Sequence, residues 1–253
     1  MIFLKGYVMR SELNDHLEKI HEYQRTDFRW CNIRTMVKKY IRGKKILDAG
    51  CGTGHLSLDL LKENYEVTAI DSSNELVDYA QENIRNAGYD ADILPCDLVS
   101  LKNRNFSPFD SIVCLDVIEH ISTDDVVLEN FSVILKNGGT LIISVPAKKY
   151  FYGERDKKVG HFRRYEKKEL AGKLKKAGFI ISDLRYWNFI GVVPYIISEK
   201  LLHKPLNEDI RYSGNKTGAK IFNIILNYWF ALIENRVRLP IGLTLIAVCK
   251  KIS

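Results

Sequence analysis

The sequence predicts an α/β fold in which a mostly parallel β-sheet is covered by helices on both faces. Three observations predict it. Short, near-continuous apolar segments alternate with amphipathic segments of helical period, a glycine-rich turn follows the first apolar segment, and acidic residues end several of these segments. Continuous apolar strands are typical of parallel sheets buried on both sides. A ligand is expected beyond the carboxyl ends of the strands, close to the first strand.

The N-terminal part of the chain is predicted to be helical over residues 11–42. Within it, residues 27–41 carry apolar side chains at roughly helical spacing, and Gly43 marks the end of the helix. The first strand is predicted at residues 46–47. A helix over residues 55–62 follows the glycine-rich turn, so this turn joins a strand to the N-terminus of a helix.

The rest of the chain continues the alternation of strands and helices. Ser72 or Ser73 is expected to cap a helix that ends at Gly88, and Ser122 or Thr123 to cap a later one. Residues 148–164 form a polar, basic loop. Further helices are predicted over residues 126–135 and 166–177, and further strands over residues 66–71, 91–94, 109–116, 140–146, 179–187 and 243–249.

The connection between the last two predicted strands is unusually long. It contains an apolar run, residues 221–233, which is interrupted by Asn223 and Asn227. As a helix this run is apolar nearly all round, so we expect it to be buried, in the core, in a dimer interface or in a lipid-facing groove. It is too short to cross a bilayer. Packing in the core or in a homodimer is the default interpretation.

The composition fits one globular α/β domain in a cytoplasmic protein. The chain has 253 residues, of which 46% are hydrophobic and 27% are charged. Its five cysteines include no C-x-x-C pair. This pattern is typical of reduced thiols and does not indicate a zinc site. No secretory leader and no apolar run of about 18 residues is found, so only peripheral membrane contact is considered. A net charge of +7 favours an anionic partner such as nucleic acid, an acidic membrane or an anionic substrate, although a solvated lysine surface accounts for it equally well.

The glycine-rich turn reads Asp48-Ala-Gly-Cys-Gly-Thr-Gly54. Its glycines let the backbone approach a ligand closely, and the free N–H groups of the following helix favour negative charge. A dinucleotide-binding turn would instead have the spacing G-x-G-x-x-G. Asp71, at the end of the second strand, suits a ribose under either interpretation. The turn by itself therefore leaves an NAD-dependent dehydrogenase open.

The same turn resembles motif I of the class I S-adenosylmethionine-dependent methyltransferases. Further features follow in the order of that family: Asp71, Asp97, Phe109-Asp110, Leu-Lys-Asn-Gly-Gly before the fifth strand and Ala-Gly-Phe before the sixth. The resemblance covers about residues 44–190 and resumes at Leu243. It implies a Rossmann-like, seven-stranded mixed sheet whose last strand is antiparallel, with N-terminal helices and a helical insertion before the last strand.

This resemblance divides the chain and identifies the cofactor. It implies a single methyltransferase domain with an N-terminal helical cap (1–42), a cofactor-binding core (43–190), a helical insertion (191–240) and the last strand of the core (241–253). The cofactor is S-adenosylmethionine, with Asp71 expected at the ribose and Asp97 at the adenine. The residues implied to line its site are Asp48, Gly50, Cys51, Gly52, Gly54, Asp71, Ser72, Asp97, Leu98, Leu115, Val117 and His120.

The segment after the fourth strand, Asp116-Val-Ile-Glu119-His120, resembles that of the quinone-biosynthesis methyltransferases and their small-molecule relatives. In some ubiquinone O-methyltransferases the equivalents of Asp116, Glu119 and His120 hold a divalent cation. The same segment is widespread in relatives without a metal, in which the histidine packs near the cofactor. We therefore predict no metal.

A second informative stretch, Gly160-His161-Phe-Arg-Arg-Tyr165, resembles the Gly-His-x-Arg-Arg-Tyr signature of the type 11 and type 12 methyltransferases. An imidazole can accept a hydroxyl proton during methyl transfer, so His161 is the predicted general base. Arg163 or Arg164 could bind a phosphate or carboxylate. Tyr152 and Tyr165 complete the predicted substrate residues. Alternatively this stretch is a structural lid in which the arginines pair with acids nearby.

The function predicted from these observations is S-adenosylmethionine-dependent methylation, most simply of an oxygen in a small or lipid-linked acceptor that carries an anionic group. Two alternatives stay open. An RNA methyltransferase would make use of the positive charge, and a non-catalytic module would bind S-adenosylmethionine without turnover. The acceptor itself cannot be identified from the residues.

Overall fold

The computed structural model describes residues 17–22, 25, 27–202 and 224–252. Residues 11–16 of the predicted N-terminal helix, the first three residues of the apolar run and much of the predicted insertion lie outside the described residues. The strands are β1 (Lys45–Ala49), β2 (Glu66–Asp71), β3 (Asp92–Pro95), β4 (Phe109–Leu115), β5 (Leu135–Pro146), β6 (Phe179–Trp187) and β7 (Thr244–Lys251).

These strands form one seven-stranded sheet in the order β3-β2-β1-β4-β5-β7-β6. The pairs from β3 to β5 are all parallel, whereas β7 lies antiparallel between β5 and β6. This topology confirms the predicted mixed sheet with an antiparallel last strand. The carboxyl ends of β1 to β5 consequently meet at one edge, where a ligand site is expected.

The helices alternate with the strands. They are α1 (Phe28–Lys38), α2 (His55–Lys62), α3 (Asn74–Asn86), α4 (Asp124–Ile134), α5 (Glu154–Lys158), α6 (Lys167–Lys176) and α7 (Val192–Tyr195). Single 3-10 turns occupy Leu98–Asn103, Ile118–His120 and Lys149–Phe151, and π-helical turns occupy Ile196–Leu201 and Phe230–Glu234. Residues 17–22 and 224–229 are also helical. The segment predicted as a basic loop after β5 is therefore partly helical.

Two hydrophobic layers cover the two faces of the sheet. Neighbouring residues of β1 point to opposite sides, with Ile46 in the layer beneath α1 to α3 and Leu47 in the layer beneath α4 and α6. Successive side chains of a strand point to opposite faces of the sheet, and here both faces are apolar. The burial of both faces accounts for the continuous apolar strands in the sequence.

The N-terminal helical region is divided at Asp27. The backbone of Asp27 is extended, and its carboxylate accepts hydrogen bonds from the N–H groups of Arg29 and Trp30, so it caps α1. Aspartate is among the favoured residues at this position because it satisfies otherwise unpaired N–H groups. The predicted N-terminal helical region therefore contains a helix boundary at Asp27.

The apolar run near the C-terminus is buried on one face only. Leu226 and Phe230 are buried, and the ring of Phe230 lies 4.7 Å from that of Trp187 and 5.5 Å from that of Phe28. Other apolar side chains of the run are more than half exposed, namely Ile224, Ile225, Tyr228 and Leu232. The contacts with Trp187 and Phe28 use a single face of the helix, so within one chain the core buries only this face of the described part of the run. The dimer interface and the lipid-facing groove stay predictions for the other face.

Replacement of Gly43 by alanine should destabilise the protein more than replacement of Gly88. Both glycines have left-handed backbone, with φ of +75° and +81°, so alanine at either position costs about 1–2 kcal/mol. A Cβ at Gly43 would also lie 2.2 Å from Cβ of Asp110, whereas at Gly88 nothing described lies within 4 Å.

Measured by urea unfolding, Gly88→Ala should lower the free energy of unfolding by about 1–2 kcal/mol. Gly43→Ala should lower it by more than about 3 kcal/mol. Equal losses in the two variants would contradict the tight packing of Gly43 on Asp110.

Candidate active site

The glycine turn lies at the carboxyl end of β1 and packs against the end of β4. Gly50, Gly52 and Gly54 have φ angles of +82°, +55° and +81°, a region that favours glycine. The Gly50 N–H donates to the carbonyl of Ile70 on β2, 2.8 Å away. A Cβ at Gly50 would stand only 2.3 Å from Cγ2 of Val117. The turn is thus fixed between β2 and the segment that follows β4.

Asp48 lies beneath this turn and is almost fully buried. Its Oδ2 accepts a hydrogen bond of 2.6 Å from the hydroxyl of Ser57 on α2. Burial raises the pKa of Asp48 from its ordinary 3.8 to about 6, the Ser57 hydrogen bond opposes this shift, and the negative charge of Asp71 adds to it. Asp48 therefore holds the start of α2 against β1.

Asp71 connects the glycine turn to α3. One carboxylate oxygen accepts from the Gly52 N–H at 3.0 Å and the other from the Ser73 N–H at 3.1 Å. Burial raises the pKa of Asp71, and these backbone donors partly offset the increase. Ser73, rather than Ser72, caps α3, and Ser72 is exposed.

The remaining cofactor residues lie along the same sheet edge. Asp97 follows β3, is exposed, and accepts from the Val99 N–H at 2.9 Å, while Leu98 beside it is buried. Leu115 is the buried last residue of β4. Since β3, β2, β1 and β4 are neighbours in this order, the predicted residues form one row across the sheet. Cys51 is buried within it, and burial raises the pKa of its thiol well above the ordinary value.

Asp116, directly after β4, is held by two partners. Its Oδ1 accepts a hydrogen bond of 2.6 Å from the Ser144 hydroxyl, and its Oδ2 forms an ion pair with the guanidinium of Arg29 from α1. The backbone of Asp116 has a φ of +53°, which is uncommon outside glycine. The structure therefore couples the N-terminal helix to the end of β4 through Arg29, a residue that the sequence reasoning did not single out.

Glu119, His120 and His161 form a compact cluster next to this point. One ligand-capable atom from each side chain lies within 4.8 Å of the other two. The rings of His120 and His161 are 4.6 Å apart, and Nε2 of His161 lies 3.9 Å from Oε1 of Glu119. The Phe162 N–H donates to the Glu119 carbonyl at 2.8 Å, which brings the 160–165 stretch to the end of β4.

Burial determines the protonation of this cluster. Burial and the nearby charge of Asp116 raise the pKa of Glu119 well above its ordinary value. Burial, assisted by His161, lowers the pKa of His120 to about 4. Burial therefore disfavours the charged form of both the Glu119 carboxyl and the His120 imidazole.

His161 is oriented by Asp156. Nδ1 of the ring lies 2.8 Å from Oδ1 of Asp156, which also accepts from Nε of Arg164 at 2.8 Å. Burial by itself would raise the pKa of Asp156, but the His161 hydrogen bond and the Arg164 charge outweigh it and lower the pKa. Because Asp156 is ionised, Nδ1 of His161 donates to it, and in the neutral imidazole Nε2 is then the nitrogen with a free lone pair.

The other predicted substrate residues bind protein groups. Arg163 pairs with Asp124 and donates to the Ser122 carbonyl, and the buried Tyr165 hydroxyl donates to Asp124 at 2.8 Å. The Tyr152 hydroxyl donates to the backbone carbonyl of His161 at 2.9 Å. Arg164 is buried against Asp156 and the Tyr195 hydroxyl. These contacts resemble the structural-lid alternative, and the assignment of the four residues to substrate binding stays a prediction.

Comparison with known proteins identifies relatives of this chain. A family described as a methyltransferase domain matches residues 41–206. A ubiquinone biosynthesis O-methyltransferase of Coxiella burnetii is 32% identical over 108 residues, which are 41% of this chain and 44% of that protein. The protein of the same name from Xanthomonas axonopodis pv. citri is 28% identical over 155 residues, 56% of this chain and 65% of the relative. The matches thus span less than two thirds of these curated relatives.

A solved structure shows the same fold. The S-adenosylmethionine-dependent methyltransferase from Clostridium acetobutylicum ATCC 824 superposes with a TM-score of 0.59 at 17% identity, covering 95% of this chain and all of that one. At this identity the likeness concerns the fold alone. Among residues 17–22, 27–202 and 224–252, no helix combines the length and the apolar character that crossing a membrane requires.

The buried carboxyl of Asp48 predicts a pH-dependent loss of stability. Its pKa of about 6 in the folded chain, against 3.8 ordinarily, means that the folded state binds more protons between these values. Stability should therefore fall as the pH rises from about 4 to about 6, by roughly 2–3 kcal/mol, and then level off. Asp48→Asn, which keeps an acceptor for Ser57, should lack this decrease.

The measurement is urea unfolding of both proteins between pH 4.5 and about 7.5, without added ligand. Asp78→Asn, at an exposed position of α3, serves as the control and should follow the wild type. If wild type and Asp48→Asn change in parallel, the raised pKa of Asp48 is contradicted.

Proposed function

Because this chain belongs to the methyltransferase domain family, we propose that it uses S-adenosylmethionine to methylate a hydroxyl oxygen of a small or lipid-linked acceptor that carries an anionic group. The row of residues along β3, β2, β1 and β4 is the cofactor site of this proposal. The acceptor lies beside His161, at the carboxyl ends of β4 and β5. Methyl transfer requires an in-line approach of oxygen to the methyl carbon, so two adjoining sites on one rigid edge are the expected arrangement.

The cofactor side of the proposal rests on the contacts of Asp71. Its carboxylate is turned toward the glycine turn by the Gly52 and Ser73 N–H groups. A carboxylate has about four acceptor positions, so acceptor capacity remains for a ribose hydroxyl. Asp97 is exposed and can accept from the adenine amino group. The buried Leu98 and Leu115 and the half-buried Val117 and His120 supply apolar walls for the adenosine and the sulfonium.

The observation that carries the acceptor side is the contact between Nδ1 of His161 and the carboxylate of Asp156. Nδ1 donates to the ionised Asp156, so Nε2 can accept the proton that a hydroxyl loses as its oxygen attacks the methyl carbon. His161 is also held through Phe162 to the end of β4, beside the row of cofactor residues. Without a group of this kind the reaction would begin from a poorly nucleophilic neutral hydroxyl.

The class of acceptor is supported by four features. The relatives with the matches given above are named for O-methylation in ubiquinone biosynthesis. The net charge of +7 favours an anionic acceptor. Of the two arginines, Arg163 is the better candidate to meet the anion, because 26% of its side chain is exposed against 6% for Arg164. A lipid chain could lie on the apolar side chains of 192–202 and 224–232 that face outward.

Asp71→Ala should weaken binding of S-adenosylhomocysteine by about 10–100-fold, because two charge-assisted hydrogen bonds are lost. Isothermal titration calorimetry measures this directly. Asp78→Ala, which removes an exposed acid from the following helix α3, should bind like the wild type. Wild-type affinity in Asp71→Ala would contradict the proposed cofactor site, and binding of NADH in place of S-adenosylhomocysteine would favour a dehydrogenase.

His161→Asn should lower methyl transfer by about 10²–10⁴-fold and leave cofactor affinity unchanged. Asparagine keeps an N–H that can reach Asp156 but lacks the second nitrogen. Incorporation of labelled methyl into a panel of phenols with and without a carboxylate measures the effect. Tyr152→Phe, which removes only the hydroxyl bound to the His161 carbonyl, is the matched control and should lose far less.

Unchanged turnover in His161→Asn would contradict the role of this residue. A protein that binds the cofactor but methylates only RNA, with strongly salt-dependent affinity, would overturn the small-acceptor proposal in favour of the RNA alternative. No turnover with any acceptor would favour the non-catalytic module.

A further inference from the structure

The helical segment after β6 contacts the segment that carries His161 through a buried side chain, Tyr195. Its hydroxyl donates a hydrogen bond of 2.7 Å to the carbonyl of Phe151 and accepts one of 2.9 Å from Nη2 of Arg164. The rings of Tyr195 and Phe151 lie 5.5 Å apart. A phenylalanine could make the same ring contact, so it is the hydroxyl that joins α7 to the residues around His161.

Arg164 extends this contact to Asp156. Its Nε donates to both carboxylate oxygens of Asp156, at 2.8 and 2.9 Å, and its side chain is buried. A guanidinium is planar and rigid, so the hydrogen bond at Nη2 also fixes the direction in which Nε points. Oδ1 of Asp156 lies 2.8 Å from Nδ1 of His161. Three successive hydrogen bonds therefore lead from Tyr195 to the imidazole.

The protonation of Tyr195 suits both of its hydrogen bonds. Burial raises the pKa of Tyr195 to about 12, and the charge of Arg164 opposes this increase. The hydroxyl therefore keeps its proton at neutral pH and can donate to Phe151 while it accepts from Arg164. A buried hydroxyl is costly unless it is hydrogen-bonded, and here both of its functions are used.

From these contacts we propose that Tyr195 is a positioning residue for methyl transfer. It holds Arg164 in the orientation that keeps Asp156 on Nδ1 of His161, which leaves Nε2 for the acceptor hydroxyl. This role rests on the proposed function, in which Nε2 of His161 accepts the proton. The helical segment after β6 thereby supplies one of the groups that orient the base.

The same helical segment is joined to His161 by a second path, which ends on the backbone instead of the ring. Nζ of Lys200 donates to the Tyr152 carbonyl at 3.0 Å, and the Tyr152 hydroxyl donates to the His161 carbonyl at 2.9 Å. This path fixes where the residue lies, whereas the path through Tyr195 fixes the contact of the imidazole. The test therefore follows the ring nitrogens.

A matched control is available at the edge strand β6. Nη2 of Arg185 donates to the Tyr40 hydroxyl at 2.7 Å, and Nε of Arg185 donates to Asp183 at 2.6 Å. These are the same three residue types with the same order of contacts, and Asp183 and Arg185 belong to β6. Tyr40→Phe thus removes an equivalent hydroxyl and leaves the path from Tyr195 to His161 in place.

The first measurement needs no methyl acceptor. Protein with isotopically labelled histidine is studied by nitrogen and proton NMR above about pH 8, where an ordinary imidazole is neutral. His161→Asn identifies the signals of His161 among those of the six histidines. The wild type should carry the proton on Nδ1. In Tyr195→Phe this proton should exchange with water about 10-fold faster, because one hydrogen bond of its support is lost. Tyr40→Phe should give wild-type exchange.

The second measurement uses an acceptor that the labelled-methyl panel shows to be turned over. Tyr195→Phe should lower kcat by about 10-fold, while the KM of the acceptor and the affinity for S-adenosylhomocysteine stay within about twofold of wild type. In an Asp156→Asn background, Tyr195→Phe should change kcat by less than about twofold, because the path to His161 is already broken. Tyr40→Phe should keep wild-type turnover.

Wild-type exchange of the Nδ1 proton in Tyr195→Phe would overturn the proposal, as would a loss of kcat that is undiminished in the Asp156→Asn background. Melting curves separate positioning from a general loss of stability, since Tyr195→Phe and Tyr40→Phe should be destabilised similarly while only the first changes His161. Failure of the proposed function is distinguishable from failure here. Full turnover in His161→Asn would refute the base itself, whereas proton exchange reports the role of Tyr195 without methyl transfer.

Discussion

The arrangement of the site depends on the close contact between Gly50 and Val117. The backbone at Gly50 has no room for even a methyl group, since a Cβ there would stand 2.3 Å from Cγ2 of Val117. Val117 opens the segment that carries Glu119 and His120, so the contact ties the glycine turn to the cluster. A reaction that depends on an in-line approach tolerates little error in distance. Packing at this one point therefore joins the proposed cofactor and acceptor sites into one unit.

A second constraint acts from the other side of the cluster, through Asp156. This buried carboxylate accepts from His161, from Arg164 and from the Gly153 N–H. A buried ion pair contributes little net stability when it replaces apolar packing, but removal of one partner is costly. Its consequence here is geometric, because Arg164 cannot move without releasing the group that orients His161. The arginine that looks like a substrate ligand in the sequence is better understood as part of this support.

The fold could be predicted from the sequence because its signals are local and repeated. Apolar strands, the turn at Gly54 and the helix stop at Gly178 each depend on a few neighbouring residues, and the row formed by Asp48, Asp71 and Asp97 follows once the strands are parallel. The partners of the charged side chains were not predictable in this way. Arg29 reaches Asp116 across 87 positions, and no spacing rule connects them. The same applies to Asp124, whose carboxylate accepts hydrogen bonds from Arg163 and Tyr165, about 40 positions later in the chain.

Two unfavourable features of the molecule lie where the chemistry is proposed. Asp116 has a left-handed backbone that costs on the order of 1–3 kcal/mol, and three positions later Glu119 is buried without a partner. Other described residues carry similar features, among them the left-handed backbone of Lys148 and an unpaired buried carboxylate oxygen of Glu234. An apolar residue at position 119 would fill the same space without the desolvation cost, so stability alone does not account for a carboxyl there. Oε1 of Glu119 lies 3.9 Å from Nε2 of His161, so this cost is located beside the group that the proposed function uses as general base.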